Sequence, residues 1–339
     1  MACGVEWWYF GSLRQDDCSY YAPELRGTVW GWCGENPPDL PWGCPRAWDN
    51  ACVIWLGEKS GYLTDWVTQQ WVKMTGVRVR LEEFPWLEGP VGRTRGIGKE
   101  FFEEYARVHR LEVVRSGTRG LIREFGALRG AESDPAAVAA AVADFYERTS
   151  EYELDAWSEW SVLLKPFGTA LAWLFSRRLQ QLNIPLSPLD SSRGMSSEVV
   201  ELRDPRTGEL KQTAWIRELR ATQRALYAGS YSVCRVPGFP DSCVRVVFPL
   251  PNGSATVILR PQSHADGSFS LLSSGSGFGD PGFYFVVRGW DGWAWARYVR
   301  AMRERITVYG AEAGTVRADH MLWLRGTEFL RLHYRMRGA

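Results

Sequence analysis

Residues 315–336 read TVRADHMLWLRGTEFLRLHYRM, an alternation of apolar and polar side chains interrupted at Arg325-Gly326-Thr327. Side chains on a strand point to opposite faces in turn, so residues two apart share a face. Val316, Ala318, His320, Leu322 and Leu324 fall on one side of the first half. Leu330, Leu332, Tyr334 and Met336 fall together in the second. The two apolar sets meet in a hairpin only if the turn takes three residues, because a one-residue slip sends every side chain to the other face. A two-residue turn sets the apolar face of the first strand against Phe329, Arg331 and His333. The longer turn puts His320 opposite Leu332 on the core face and points His333 away.

The period of two extends back to Met195. Turn signals punctuate it at 204–208, Pro237-Gly238, Asn252-Gly253, Asp266-Gly267, Asp291-Gly292 and 310–314. Asn-Gly and Asp-Gly accept the positive φ angles that hairpins need. Runs such as VRVVFPL, ATVILR, FYFVVR and WAWARYV lie between them. About ten or eleven strands are predicted over 197–336, as a curved antiparallel meander or a barrel, since a long open sheet leaves exposed edges.

Upstream the period changes. Val67, Trp71 and Met74 recur at helical spacing before Gly76, and Phe101, Tyr105 and Val108 share a helix face. Asp134-Pro135 reads as a helix start, with Val138, Val142 and Phe145 on its apolar side. Phe167, Leu171 and Leu174 continue a helical pattern until Pro185 and Pro188. The fold class is therefore α+β: a helical N-terminal half and a C-terminal antiparallel β-meander, forming a curved sheet or barrel. Three regions are expected. Residues 1–59 form an irregular Trp-, Cys- and Gly-rich segment, either a cap on the core or an upstream extension. Residues 60–190 are mainly helical, and 191–339 hold the meander.

Apolar residues make up 45% and charged residues 23% of the 339, ordinary values for a chain with a proper core. Forty basic residues nearly balance 39 acidic ones, which argues against a dedicated nucleic-acid binder. The longest apolar stretch, 162–175, is broken by Lys165 and Pro166. It falls short of the roughly 20 residues of a transmembrane helix. The seven cysteines include no CxxC pair, and MACGVEWWYFGSLRQDD has neither the basic nor the apolar segment of an export signal. Free thiols and a cytoplasmic location are the expectation.

Chemistry is sparse. The four histidines are His109, His264, His320 and His333, and the hairpin register separates the last two. No metal site is expected, no GxSxG or HExxH occurs, and no cofactor is implied. His264 reads as a loop residue and His109 as a helix-end cation. The Gly-rich 274–279 lies between strands rather than before a helix, and reads as a loop. Arg93, Arg95 and Lys99 precede a predicted helix and form a candidate anion site. Carboxylates between Asp144 and Glu159 read as a solvated helix face and its polar exit. His320, a lone histidine on an apolar face, is either a satisfied core residue or the polar anchor of a ligand cavity.

DFYERTSEYELDAWSEWS, FSRRLQQLNIPLSPLD, VRVVFPLPNGSATVILRP, GFGDPGFYFVV and VRADHMLWLRGTEFLRLHYR resemble conserved bacterial proteins of unassigned function, over about 60–336. That likeness implies no catalytic residue. The layout also resembles helix-grip and calycin-like ligand binders, at the level of fold.

The leading expectation is non-catalytic binding of a small, largely apolar ligand on the concave face of the C-terminal sheet, beneath the helix at 167–182. Ligand-binding candidates are His320, Tyr334, Trp215 and Tyr284. One alternative is an enzyme acting on a lipid or polyketide-like substrate in the same cavity, using His320 with Asp319 or Glu304. Asp319 faces away from His320 in the expected register. Another alternative is an interaction module anchored by tryptophans of the N-terminal third.

Overall fold

The structure, a computed structural model, describes residues 62–92, 97, 98, 100–161, 166, 181, 194–220, 224–289, 292–312 and 314–338. The segment 1–59, the anion-site candidates Arg93, Arg95 and Lys99, and most of the expected helix at 167–182 lie outside the described residues.

Antiparallel sheet dominates. Three strands precede residue 190: β1 (Val77–Arg80), β2 (Glu112–Val114) and β3 (Tyr152–Trp160). Eleven follow: β4 (Met195–Arg203), β5 (Leu210–Leu219), β6 (Arg224–Val236), β7 (Phe239–Leu250), β8 (Gly253–Ser263), β9 (Phe269–Leu272), β10 (Phe283–Arg288), β11 (Trp293–Tyr298), β12 (Met302–Gly310), β13 (Thr315–Leu324) and β14 (Thr327–Gly338). Helices are few among the described residues. They include α1 (Leu63–Thr75), α2 (Phe101–His109) and α3 (Ala140–Glu147), with short 3-10 turns and strands between them, and most of 162–193 lies outside the described residues. The acidic run expected to leave a helix, YELDAWSEW, is β3 and pairs with β14. Its buried positions Leu154, Ala156 and Ser158 alternate with more exposed ones, the period of a half-buried strand.

Asp134 does cap, accepting from Ala136 N–H at 3.2 Å, but only the 3-10 turn Pro135–Ala137. The helix proper starts after extended Ala139 and buries Val142, Phe145 and Tyr146. In α1 the expected apolar face is reversed. Val67, Trp71 and Met74 are exposed, and Val72 packs inward against Val287 and Trp295.

The main path of the sheet runs β2-β4-β5-β6-β7-β8-β9-β12-β13-β14-β3. It is not a simple meander. β8 forks: its first half pairs with β10 and its second half with β9, and β10-β11-β1 form a separate arm. Gly253 sits at the fork, facing Leu250 of β7 on one side and Val287 of β10 on the other. A Cβ there would collide with the Val286 carbonyl, so glycine permits the fork. No hydrogen-bonded ladder joins β3 to β4 among the described residues, so the sheet is open. It is nonetheless strongly curled. Leu154 and Ala156 of β3 share one core with Met195 and Val199 of β4, and the guanidinium of Arg217 in β5 lies 5.0 Å from the Tyr334 ring in β14.

The terminal hairpin has the expected facing, reached by a different route. Leu324 pairs with Thr327, so the turn is two residues, Arg325-Gly326, with φ of 51° and 83°. Those values belong to the left-handed turn whose twist suits a hairpin. Between Leu322↔Leu330 and Trp323↔Glu328 the register shifts, leaving Phe329 as an extra residue in β14. This bulge restores the pairing that a three-residue turn would have given, with His320 opposite Leu332 and Asp319 opposite His333.

Candidate functional site

The concave side of the curled sheet encloses a cavity of about 560 Å³. Its walls come from β3, β5 to β10 and β12 to β14, with α1 and α3 at the margins, and are overwhelmingly apolar. The period of two explains why. Val308, Ile306 and Glu304 of β12 sit opposite Ala318, His320 and Leu322 of β13, which sit opposite Tyr334, Leu332 and Leu330 of β14. One parity across three strands therefore forms one wall.

Two polar groups interrupt the apolar lining of the cavity. Glu304 is 8% exposed and its carboxylate lies 2.8 Å from His320 Nε2. The two stand on the diagonal of the β12–β13 ladder, since Glu304 is opposite Leu322, and diagonal neighbours remain within reach of long side chains. Neither polar end is left without a partner, which a largely dry site demands.

The second polar group is an aromatic nest around Arg217, which is 4% exposed. Its guanidinium lies 4.3 Å from the Trp215 ring centre, 4.0 Å from that of Tyr227 and 5.0 Å from that of Tyr334. Arg217 is directly opposite Tyr227, and Trp215 is opposite Gly229. At Gly229 a Cβ would come 3.0 Å from the Phe248 ring, so the small residue lets that ring in. The Trp215 indole N–H donates to Ser197 Oγ at 2.8 Å, and the hydroxyls of Tyr227 and Tyr231 are 3.1 Å apart. Burial pushes the Tyr231 phenol up to about 12 and Tyr227 well above the usual range, while Arg217 opposes both shifts. The phenols therefore stay neutral at ordinary pH, and the nest carries one positive charge.

Of the residues singled out in the sequence, the structure brings His320, Tyr334 and Trp215 to the cavity. Tyr284 is elsewhere. It faces the opposite side of β10, in a second core with Trp86, Ile258 and Tyr298. Its hydroxyl donates to the Asp280 carbonyl at 2.5 Å and accepts from Gly279 N–H at 3.1 Å. Asp319 joins His333 at 2.6 Å on the outer face, where His333 stacks on Trp157. His264 is bonded to Ser270 at 2.8 Å. The Gly-rich loop closes on itself, since Asp280 accepts from Ser276 N–H and hydroxyl and from Gly277 N–H. Among the described residues no cluster of ligating side chains could hold a metal.

Arg217 was missed by sequence reasoning, although a signal existed. It falls between Trp215 and Leu219 on the same strand parity, so a charge is flanked by an aromatic and an aliphatic residue on one face. Gln181 was missed too, and no sequence pattern marks it. Its side-chain amide donates to Ala228 C=O at 2.8 Å and accepts from Ala228 N–H at 2.9 Å. Ala228 lies just before the β6–β7 pairing that begins at Ser230↔Val247, so the amide serves as the missing strand partner.

A Bacillus subtilis (strain 168) protein named "Uncharacterized membrane protein YndJ" is 30% identical to this chain over 217 residues, or 63% of this chain and 37% of that protein. The chain thus spans little more than a third of its relative's length. No family model matches, and no solved structure matches. The likeness to bacterial proteins of unassigned function stands at that level, and the helix-grip and calycin comparison gains no support. The cytoplasmic expectation is corrected, because a relative named as a membrane protein conflicts with it. No helix of the described residues is long and apolar enough to cross a membrane.

Proposed function

We propose that this chain binds a small, largely apolar molecule inside the curled sheet, with His320, Tyr334 and Trp215 among the groups that touch it. The observation that carries this reading is the cavity. Its volume of about 560 Å³ falls within the roughly 300–1,000 Å³ of small-molecule sites, and its few polar groups interrupt an apolar lining. A cavity walled by aliphatic and aromatic side chains favours an apolar occupant, because each buried methylene leaves water at a gain of about 0.8 kcal/mol. Membranes store such molecules, which agrees with the name of the Bacillus relative. Native mass spectrometry of the purified protein, followed by denaturation and solvent extraction, tests the proposal. A discrete apolar mass that is lost or weakened in a folded His320→Ala variant supports it. A clean mass with no ligand, and no uptake of added apolar probes, overturns it.

A second reading rests on the Glu304–His320 pair. A carboxylate that holds an imidazole beside a cavity is the arrangement of an oriented general base. An enzyme acting on a lipid or polyketide-like substrate would lose turnover in His320→Ala while still binding its substrate.

A further inference from the structure

We infer that the molecule held in the cavity carries an anionic head group, a carboxylate or a phosphate, and that Arg217 receives it. The inference rests on the binding reading above and names the chemistry of the ligand's polar end.

Arg217 is a cation almost wholly removed from water, and it lines the cavity. Its Nε is buried and has no hydrogen-bond partner. No carboxylate forms an ion pair with it among the described residues. The titratable groups that act on it are the phenols of Tyr227, Tyr334 and Tyr231. The cavity's own carboxylate, Glu304, is already bound to His320. Buried charges in proteins are otherwise paired, because ring faces return only part of what removing a cation from water costs. Tyr334 supplies a neutral hydrogen-bond partner but no charge, so an arginine with no carboxylate partner among the described residues, set in an apolar chamber, is a site suited to a counter-ion.

The guanidinium also suits that counter-ion. It stays charged at all ordinary pH, and its planar fork matches the two oxygens of a carboxylate or phosphate. Neutral phenols nearby can donate further hydrogen bonds to the same oxygens. The aromatic nest fixes the fork in place, so little side-chain freedom is lost on binding. The rest of the chamber then accepts the apolar chain.

The test compares dodecanoate, dodecyl phosphate and dodecan-1-ol by calorimetric titration of the full chain, below micellar concentrations. At least one acid is expected to bind more tightly than the alcohol by on the order of tenfold or more, the scale of a charge-assisted hydrogen bond. The better of the two acids identifies the head group. Arg217→Met is expected to level the acid and alcohol affinities, and Arg217→Lys to restore part of the preference. Without ligand, Arg217→Met should be at least as stable as the wild type, since it removes an unpaired buried charge. Equal affinity of the wild type for acids and alcohol overturns the head-group inference and leaves the apolar cavity standing. Failure of all three probes to bind overturns both. Should Arg217→Met not fold, the wild-type ratio and the lysine variant still decide the question.

Discussion

Strands β12 to β14 carry two histidine–carboxylate pairs, one on each face of the sheet, in opposite settings. His320 and Glu304 meet at 2.8 Å inside the cavity, with the carboxylate 8% exposed. His333 and Asp319 meet at 2.6 Å outside, beside Trp157 and with Glu159 3.5 Å from the other ring nitrogen. The residue types are alike and the distances nearly so. Strand parity alone decides which pair lines a chamber and which lies on the surface. The same bond thus has different consequences, because water can replace a lost partner outside but not within.

Inserting one alanine between Leu330 and Arg331 attacks the parity itself. With turn and bulge kept, the added residue takes the place opposite Met321, so His320 pairs with Arg331 and Leu332, Tyr334 and Met336 turn outward. Loss of the folded state is expected, seen as missing cooperativity in urea unfolding. A wild-type transition in that variant would show that strand parity does not set the faces.

Separate truncations sharpen the contrast. Glu304→Ala leaves His320 without its partner in an apolar wall and should cost about 1–3 kcal/mol. Asp319→Ala should cost at most about 1 kcal/mol, since His333 keeps water and Glu159. Denaturant midpoints measure both, and equal losses would refute the distinction between the faces. Replacing both inner partners, as His320→Leu with Glu304→Leu, should recover most of the inner loss, because no polar end is then stranded. A double variant as unstable as the sum of its parts would show that the pair is needed for packing rather than for mutual satisfaction. The smallest effect is at the turn. Arg325→Asn, at φ 51°, should stabilise by about 0.5 kcal/mol, since asparagine tolerates the left-handed region better. A lower melting temperature would count against that account.

Much of the sheet was legible because alternation is a local signal. The apolar parity of 316–324 and 330–336 gave the facing of the last hairpin, even though turn length and bulge were not separable. Two compensating one-residue changes leave the same faces together. The helical reading of 134–160 failed in part for a related reason. Asp134-Pro135 is a true cap signal, but extended Ala139 interrupts the helix. The acidic run 152–160 became a strand because β14 offers it an edge, and an edge formed by a segment almost 180 residues away leaves no mark in the local pattern. The exposed face of α1 shows the same limit, since apolar spacing predicts a helix face and says nothing of what covers it.

The sequence by itself determined the strand-rich C-terminal part, the faces of its final hairpin and the inward position of His320, because all three follow from a period of two between turn residues. Only the tertiary structure decided that β8 forks, that Tyr284 belongs to another core, and that Arg217 reaches Tyr334 across the curl. Those are contacts between residues far apart in the chain. They depend on the twist and curvature accumulated over many strands, a property of the whole sheet that no single segment encodes.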